Sequence, residues 1–159
     1  MIKSQPDSYR IPIQVAVYCY RRGNNGIIQW LMLKRATNTN PCWQGVTGAP
    51  FEGEALIDAA GRELFEETGL RPLSLVQSSY SYTYTIPAYN RHKFAYDAKT
   101  ITEYVFVAQI NAAHEDVVLT EEHVEYCWVG FDEAQRLLSW QENKKSLQIV
   151  YRMITREIL

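Results

Sequence analysis

The chain has 159 residues, of which 47% are hydrophobic and 21% charged, and this composition excludes a largely disordered protein. Its length fits one domain better than two, so we expect residues 1–159 to form a single unit. Sixteen Lys and Arg against eighteen Asp and Glu leave a net charge of −2. A chain so balanced is a poor candidate for coating long nucleic acid or an anionic membrane by bulk charge.

The sequence also argues against a membrane or secreted protein. No uninterrupted apolar run approaches the roughly 20 residues that span a bilayer, and residues 1–10 lack the apolar core of a signal peptide. Three widely spaced cysteines imply neither a disulfide framework nor a zinc knuckle. We therefore expect a cytoplasmic protein that is either a monomer or a homodimer.

Strands and helices are predicted in an irregular order along the chain. Runs of β-branched and aromatic residues predict strands over 11–20, 27–33, 73–86, 100–110 and 124–129, and a short extended piece over 43–47. Helical spacing of apolar residues and good helix formers predict helices over 55–68, 131–138 and 142–158, and Gly69 is placed to end the first of them. Residues 21–26 predict a turn, and 37–41 and 87–99 predict loops. The order favours an α/β fold with a mixed central sheet and helices on both faces.

The most informative segment runs from Gly48 to Leu70 and reads GAPFEGEALIDAAGRELFEETGL. Within its predicted helix, Glu63, Glu66 and Glu67 stand at i, i+3 and i+4, so we expect their carboxylates on one side. Nothing in a helix favours three like charges at this spacing, and divalent cations among them would remove the repulsion. Oxygen-only ligation of this kind suits Mg²⁺ or Mn²⁺ better than zinc. The alternative is an acidic face that is merely solvated.

The same segment resembles the signature of the Nudix hydrolases: a glycine, five residues, a glutamate, seven residues, then Arg-Glu-apolar-x-Glu-Glu-x-Gly-apolar. Every specified position is filled, by Gly48, Glu54, Arg62, Glu63, Leu64, Glu66, Glu67, Gly69 and Leu70. The resemblance implies an α/β/α sandwich with its catalytic loop, helix and loop at 48–70. It also implies Mg²⁺-dependent hydrolysis, by attack of water on phosphorus, of a nucleoside diphosphate linked to another group.

Carried over to this chain, the resemblance assigns roles to the acids of the segment. Glu63, Glu66 and Glu67 would be metal ligands for Mg²⁺, with Mn²⁺ as a substitute, and one of them could instead deprotonate the water. Glu54 would support the loop, or a metal through water. Arg62 adjoins the acids and could orient one carboxylate through an ion pair. Which glutamate acts as the base stays open.

Several stretches outside the signature are similar to one branch of that family, the bacterial dATP and dihydroneopterin-triphosphate pyrophosphohydrolases. These stretches are WQGVTG (43–48), RHKF (91–94) and TEEHVEYCWV (120–129). The similarity implies a purine or pterin triphosphate that is converted to the monophosphate and pyrophosphate. It makes Glu122 a further metal ligand or base, the alternative being an exposed acid in an acidic turn. We expect the neighbouring His123 to be structural.

A triphosphate needs counter-charges besides the metals, and the basic clusters at 34–35 and 91–93 are the candidates, since the chain offers few other compact basic groups. Their arginines are the first choices, because a guanidinium can bind phosphate through two hydrogen bonds. The residues predicted to bind substrate are Arg35, Thr47, Gly48, Arg91, His92 and Lys93. Tyr80, Tyr82 and Tyr84 alternate along one strand and could stack on a heterocycle, although a packed strand face is the favoured interpretation.

Two other functions stay open. One is hydrolysis of ADP-ribose or a dinucleoside polyphosphate by an enzyme of the same family. The other is a non-catalytic Nudix domain that binds nucleotides to sense them. Such a domain would be expected to lose acids from the helix, whereas this chain has kept all of them.

Overall fold

The computed structural model describes residues 9–36, 42–113 and 116–156, and these contain a seven-stranded mixed sheet with helices on both faces. The strands are β1 (Ile13–Arg22), β2 (Ile28–Arg35), β3 (Trp43–Gln44), β4 (Val46–Gly48), β5 (Ser74–Thr85), β6 (Thr100–Gln109) and β7 (His123–Val129). The helices are α1 (Leu56–Thr68), α2 (Phe131–Leu137) and α3 (Gln141–Arg156). No helix in these ranges is both long and apolar enough to cross a membrane.

The structure confirms the predicted elements, with ends that differ by one or two residues. The loop predicted at 37–41 and the last two residues of the helix predicted over 142–158 lie outside the described residues. The prediction of a plain loop over 87–99 is wrong in part, because Ala88–Lys93 form a 3-10 helix. Pro87 precedes it with φ −61°, and its carbonyl accepts the N–H of Asn90 at 2.9 Å. The ring of a proline fixes φ near this value, which suits the start of a helical turn.

The two short strands β3 and β4 lie between β1 and β2, and they bring the segment before α1 to the middle of the sheet. β1 pairs with β6 in parallel on one edge, whereas on the other edge it pairs with β2 only over its last three residues. Beyond that point β1 and β2 diverge, and β3 pairs with β2 while β4 pairs with β1. Gly45 joins β3 to β4 so closely that a Cβ there would lie 2.9 Å from the carbonyl oxygen of Val17.

Alternation along β1 sends successive side chains to two separate cores. Val15, Val17 and Cys19 face α1, and the residues between them face α3. α1 buries Ala60 and Leu64 on its side of the sheet, as its apolar spacing predicted. The helix ends at Gly69 in the left-handed region, with φ 73°, where the predicted cap lies.

The face toward α3 holds the tyrosines of β5 and one buried carboxyl group. The ring centroids of Tyr80, Tyr82 and Tyr84 follow one another at 6.0 and 6.1 Å, which agrees with a packed strand face. Beside them Glu103 is 2% exposed and accepts a hydrogen bond from Gln14 Nε2 at 3.1 Å. Burial raises the pKa of Glu103 to about 7, although the bond from Gln14 lowers it.

We expect Glu103→Gln to remove a pH dependence of stability. Between about pH 4.5 and 7 the unfolded state releases the Glu103 proton while the folded state keeps it. Glu103 should therefore make the wild-type free energy of unfolding fall with rising pH across this window by up to about 3 kcal/mol, in addition to the fall that other buried carboxyl groups cause. The variant should lack only the part due to Glu103. Urea unfolding at pH 5 and pH 8 measures it, with the exposed Glu52→Gln as control. Equal slopes in wild type and Glu103→Gln would contradict the assignment.

Candidate active site

Arg62 on α1 fixes the loop that leads into the helix. Its guanidinium donates two parallel hydrogen bonds to Glu54, from Nε and Nη2, each 2.9 Å long. Nη2 also donates to the carbonyl oxygen of Ala49 at 3.0 Å, and the guanidinium carbon lies 3.9 Å from the ring centroid of Phe51. These hydrogen bonds hold the pKa of Glu54 below its usual range. Glu54, expected to support the loop, therefore lies where it can do so.

The three acids of α1 have different environments. Arg62 Nη1 donates to both Glu63 and Glu66 at 3.0 Å, yet the side chain of Glu63 is 14% exposed and that of Glu66 is 53% exposed. Glu67 is 5% exposed. Helix geometry explains the difference, since residues 66 and 67 are about 100° apart while 63 and 67 are only about 40° apart. Glu63 and Glu67 thus share a side, and Glu66 lies on the outer flank of α1.

Glu67 is the buried acid of the site. Burial raises its pKa to about 9, and the charges of Glu122 and Glu63 add to the shift, while the backbone N–H of Thr47 opposes it. Its Oε2 atom is buried and has no hydrogen-bond partner among the described residues. Without a cation, Glu67 therefore keeps its proton at neutral pH.

Glu122 joins this cluster from a distant part of the chain. It lies in the turn before β7, and its carbonyl oxygen accepts the N–H of Ala36 at 2.8 Å. It lies close enough to Glu67 that its charge raises the pKa of that residue, and its charge also raises the pKa of Glu63. Burial is the main cause of the raised pKa of Glu63. The structure thus brings Glu122 close to Glu63 and Glu67, although Glu122 stands 55 positions after Glu67 in the sequence.

β4 runs directly against these acids, at the two residues predicted to meet the ligand. The backbone N–H of Thr47 lies close enough to Glu67 to lower its pKa, and Gly48 lies against Glu63. A Cβ at Gly48 would stand 2.1 Å from Glu63 Cδ, a distance that no packed side chain tolerates. A residue with a side chain would therefore push Glu63 away from the cluster.

Gly48→Ala should lower kcat by about 10²-fold, because the displaced Glu63 leaves the acidic cluster. Gly130→Ala is the matched control, since a Cβ at that position meets nothing within 4 Å. Steady-state kinetics measures the loss, and a thermal melt shows whether both variants fold. A kcat for Gly48→Ala equal to that of the control would show that Glu63 is not needed where it lies.

The predicted phosphate-binding cations have different surroundings. Arg35 is exposed, and its side chain has no hydrogen bond or ion pair among the described residues. Burial is the main cause of the lowered pKa of His123, and the charge of Arg35 adds to it. Arg91, the other arginine predicted to bind phosphate, is bonded within its own loop. Its guanidinium donates to the carbonyl oxygens of Ala95, at 3.0 Å, and Tyr96, so it closes its own loop.

The rest of the basic loop cluster is exposed. His92 and Lys93 lie on the 3-10 helix, and no hydrogen bond or ion pair links them to the acids of α1 within the described ranges. These side chains are free to move toward a ligand, but the structure does not hold them at the acidic cluster.

The donor set of the site fits a hard divalent cation, although a metal would have to reorganise it. No group of three His, Cys, Asp or Glu side chains in the described ranges stands ready to hold a metal ion. Arg62 engages Glu63 and Glu66 instead. The unpartnered buried oxygen of Glu67 and its two acidic neighbours are nevertheless the oxygen donors that Mg²⁺ and Mn²⁺ prefer.

Sequence reasoning missed three contributors to the site. These are the ring of Phe51 under the Arg62 guanidinium, the carbonyl oxygen of Ala49, and Gln44, whose Nε2 lies 3.5 Å from His123 Nε2. No local pattern marks a backbone carbonyl or a lone glutamine as part of a site. The predicted structural role of His123 agrees with its burial, since it is 5% exposed.

The chain is similar to known proteins over most of its length. The sequence model of the NUDIX domain family matches residues 12–149. The dihydroneopterin triphosphate diphosphatase of Escherichia coli is 28% identical over 144 residues, which cover 88% of this chain and 92% of the relative. The asymmetrical bis(5'-nucleosyl)-tetraphosphatase of Rattus norvegicus is 27% identical over 126 residues, which cover 79% of this chain and 80% of the relative.

A solved structure gives the same result for the fold. The Escherichia coli dihydroneopterin triphosphate pyrophosphohydrolase superposes with a TM-score of 0.72 at 26% identity, over 91% of this chain and 99% of that one. The matches confirm the predicted mixed-sheet α/β fold and the resemblance carried by residues 48–70.

Proposed function

The chain belongs to the Nudix family of hydrolases, which act on phosphoric anhydride bonds, and from this premise we propose that it is a Mg²⁺-dependent pyrophosphohydrolase of triphosphates. Its substrate is a pterin or purine nucleoside triphosphate, which it converts to the monophosphate and pyrophosphate. The observation that carries this proposal is the similarity to the dihydroneopterin triphosphate diphosphatase of Escherichia coli, which extends over nearly the whole of both chains. The single unit expected over residues 1–159 is part of the proposal.

Glu63 and Glu67 would hold the metal, together with Glu66 once it is released from Arg62. Glu122 was predicted as a further metal ligand or as the base, and we propose the second role. A bound Mg²⁺ supplies positive charge that stabilises the negative charge developing on the phosphate oxygens. Arg62 stays on Glu54 through its two parallel bonds and so keeps the loop before α1 in place. The burial of Glu67 supports this assignment, since a buried carboxylate is stable only beside a compensating charge.

We assign the role of general base to Glu122. It is the exposed acid beside Glu67 and is not held by Arg62, so its carboxylate can reach a water molecule at the edge of the site. The water oxygen forms a bond to phosphorus, the water proton passes to the carboxylate, and the bond from phosphorus to the leaving pyrophosphate breaks. The orientation of this base relative to Glu67 then decides where the water attacks.

Cations outside the acidic cluster would bind the remaining phosphates. Arg35 is the first candidate, because its guanidinium has no partner among the described residues. Arg35 also pairs with His123, the residue that follows Glu122. Thr47 and Gly48 line the site from β4, and the exposed His92 and Lys93 can approach from their loop. Arg91 would serve only by holding that loop together.

A product analysis with Mg²⁺ tests the proposal. The substrates are dihydroneopterin triphosphate, dATP and the other nucleoside triphosphates, ADP-ribose and diadenosine tetraphosphate. We expect a monophosphate and pyrophosphate from a triphosphate, no turnover with excess chelator, and recovery with Mg²⁺ or Mn²⁺. In ¹⁸O-labelled water the label should enter the monophosphate if the water attacks the α-phosphorus. Phosphate release without pyrophosphate from every triphosphate would overturn the proposal.

A second function is favoured by the similarity to the rat tetraphosphatase over 79% of this chain. Diadenosine tetraphosphate would then be the best substrate and would give ATP and AMP, whereas ADP-ribose hydrolysis would give AMP and ribose 5-phosphate. Nucleotide binding without turnover at any Mg²⁺ or Mn²⁺ concentration would instead indicate a sensing domain.

A further inference from the structure

We propose that His123, held against Gln44, is a positioning residue that sets the place of Glu122 relative to Glu67. The inference rests on the function proposed above, in which Glu122 is the base. It concerns a contact between two side chains that reach the same face of the sheet from different strands.

His123 and Gln44 approach each other across β2. Gln44 pairs with Leu33 of β2 on one edge, and His123 pairs with Arg35 on the other edge. Leu33 faces α1 in the core, and Arg35 two residues later points to the same face. The two Nε2 atoms lie 3.5 Å apart, within reach of a hydrogen bond in which the amide N–H donates to the imidazole nitrogen.

The contact joins the two chain segments that supply groups to Glu67. Three residues after Gln44, the backbone N–H of Thr47 faces the Glu67 carboxyl group. One residue before His123, the side chain of Glu122 reaches the same carboxyl group. Fixing Gln44 to His123 therefore fixes the segment that carries Glu122 relative to the segment that carries Thr47, and so fixes the approach of Glu122 to Glu67.

The burial of His123 supports a role beyond packing. The residue is 5% exposed, and its Nδ1 atom is buried without a hydrogen-bond partner among the described residues. An unpaired buried polar atom costs free energy, so a leucine would fill this space at less cost. The polar contact at Nε2 is what the imidazole provides and an apolar side chain does not.

A double-mutant cycle tests the inference on the best substrate of the product analysis. We expect His123→Leu to lower kcat by about 10- to 100-fold with KM within about threefold of wild type. His123→Gln, whose amide can reach toward Gln44, should recover part of the lost kcat. In the Glu122→Gln background, His123→Leu should have little further effect on kcat, because both changes remove the same positioned base.

Gln44→Leu breaks the contact from the other side and serves if His123→Leu does not fold. It should lower kcat to a similar extent and should not add to the effect of His123→Leu. An equal loss from His123→Leu in the wild-type and Glu122→Gln backgrounds would overturn the inference, as would a His123→Gln enzyme that folds but is as slow as the leucine variant.

The cycle separates this inference from the function on which it rests. If Glu122→Gln alone keeps the wild-type kcat, the assignment of Glu122 as base fails, and the inference falls with it. If Glu122→Gln is slow but the losses at position 123 are additive, the proposed function stands and only the positioning role is rejected. Thermal melts of all variants show that each compared protein is folded.

Discussion

Glu67→Gln is expected to lower kcat by about 10³-fold while leaving the protein at least as stable as wild type in the presence of a chelator. Glu67 is buried, and its pKa of about 9 keeps it neutral at pH 7 when no cation is bound. Glutamine has the shape of that neutral carboxyl group, so the fold does not need the charge. The proposed cation does need it, because an amide gives it no negative charge. Steady-state kinetics with Mg²⁺ and urea unfolding with chelator measure the two effects.

Two further variants show whether the loss of turnover is specific to the acidic cluster. Glu63→Gln should also lose most turnover, since Glu63 lies in the same acidic cluster as Glu67. Glu52→Gln, at an exposed position in the loop before α1, should keep wild-type kinetics. Near-normal hydrolysis by both Glu67→Gln and Glu63→Gln would reject the proposed site. A clear loss of stability in Glu67→Gln would show that the buried group is charged in the fold without a cation.

Arg62→Ala should give the largest loss of stability among single substitutions at the site, about 2–3 kcal/mol, together with a loss of turnover. The guanidinium makes five hydrogen bonds, four of them to carboxylates and one to the Ala49 carbonyl oxygen. Its removal leaves Glu54 and Glu63 mostly buried without their counter-charge. Urea unfolding measures the stability, and a kinetic assay with Mg²⁺ measures the turnover.

Two other changes separate geometry from charge in this network. Arg62→Lys keeps the positive charge but cannot make two parallel bonds to Glu54, so we expect it to recover less than half of the lost stability. Arg136→Ala removes an arginine that pairs with Glu133 on the exposed face of α2, and it should change the free energy of unfolding by about 0.5 kcal/mol or less. An Arg62→Ala protein as stable as Arg136→Ala would mean that the buried network contributes no more than a surface pair.

Local periodicity was enough to predict the elements of the fold. Helical spacing over 55–68, closed by Gly69, predicted Glu63, Glu66 and Glu67 on one side of α1. Glu63 and Glu67 do share that side, and Glu66 lies on the outer flank. Alternation placed the tyrosines of β5 on one face. These features depend on residues that lie within a few positions of one another, and backbone geometry alone relates them. The fixed spacing of residues 48–70 also identified the family, which the match over 12–149 confirms.

The surroundings of single side chains were decided by packing. Glu66 stays exposed on the outer flank of α1, whereas Glu63, which Arg62 also holds, is covered by Gly48 of β4. Arg91 was predicted to bind phosphate because a guanidinium can make two hydrogen bonds to a phosphate group, and the structure shows two of its donors on carbonyl oxygens of its own loop. Every loop has backbone carbonyls, so their position is invisible in the sequence and appears only when the chain turns back on itself.

By itself, then, the sequence of this protein determined which segments form strands and helices, and which acids share the first helix. Only the tertiary structure decided that Glu122, 55 positions beyond Glu67, meets it, and that the contact of His123 with Gln44 lies beside them. These contacts are possible because β3 and β4 lie between the diverging strands β1 and β2. Such contacts depend on how distant strands pair, and strand pairing is a property of the whole sheet rather than of any short stretch of residues.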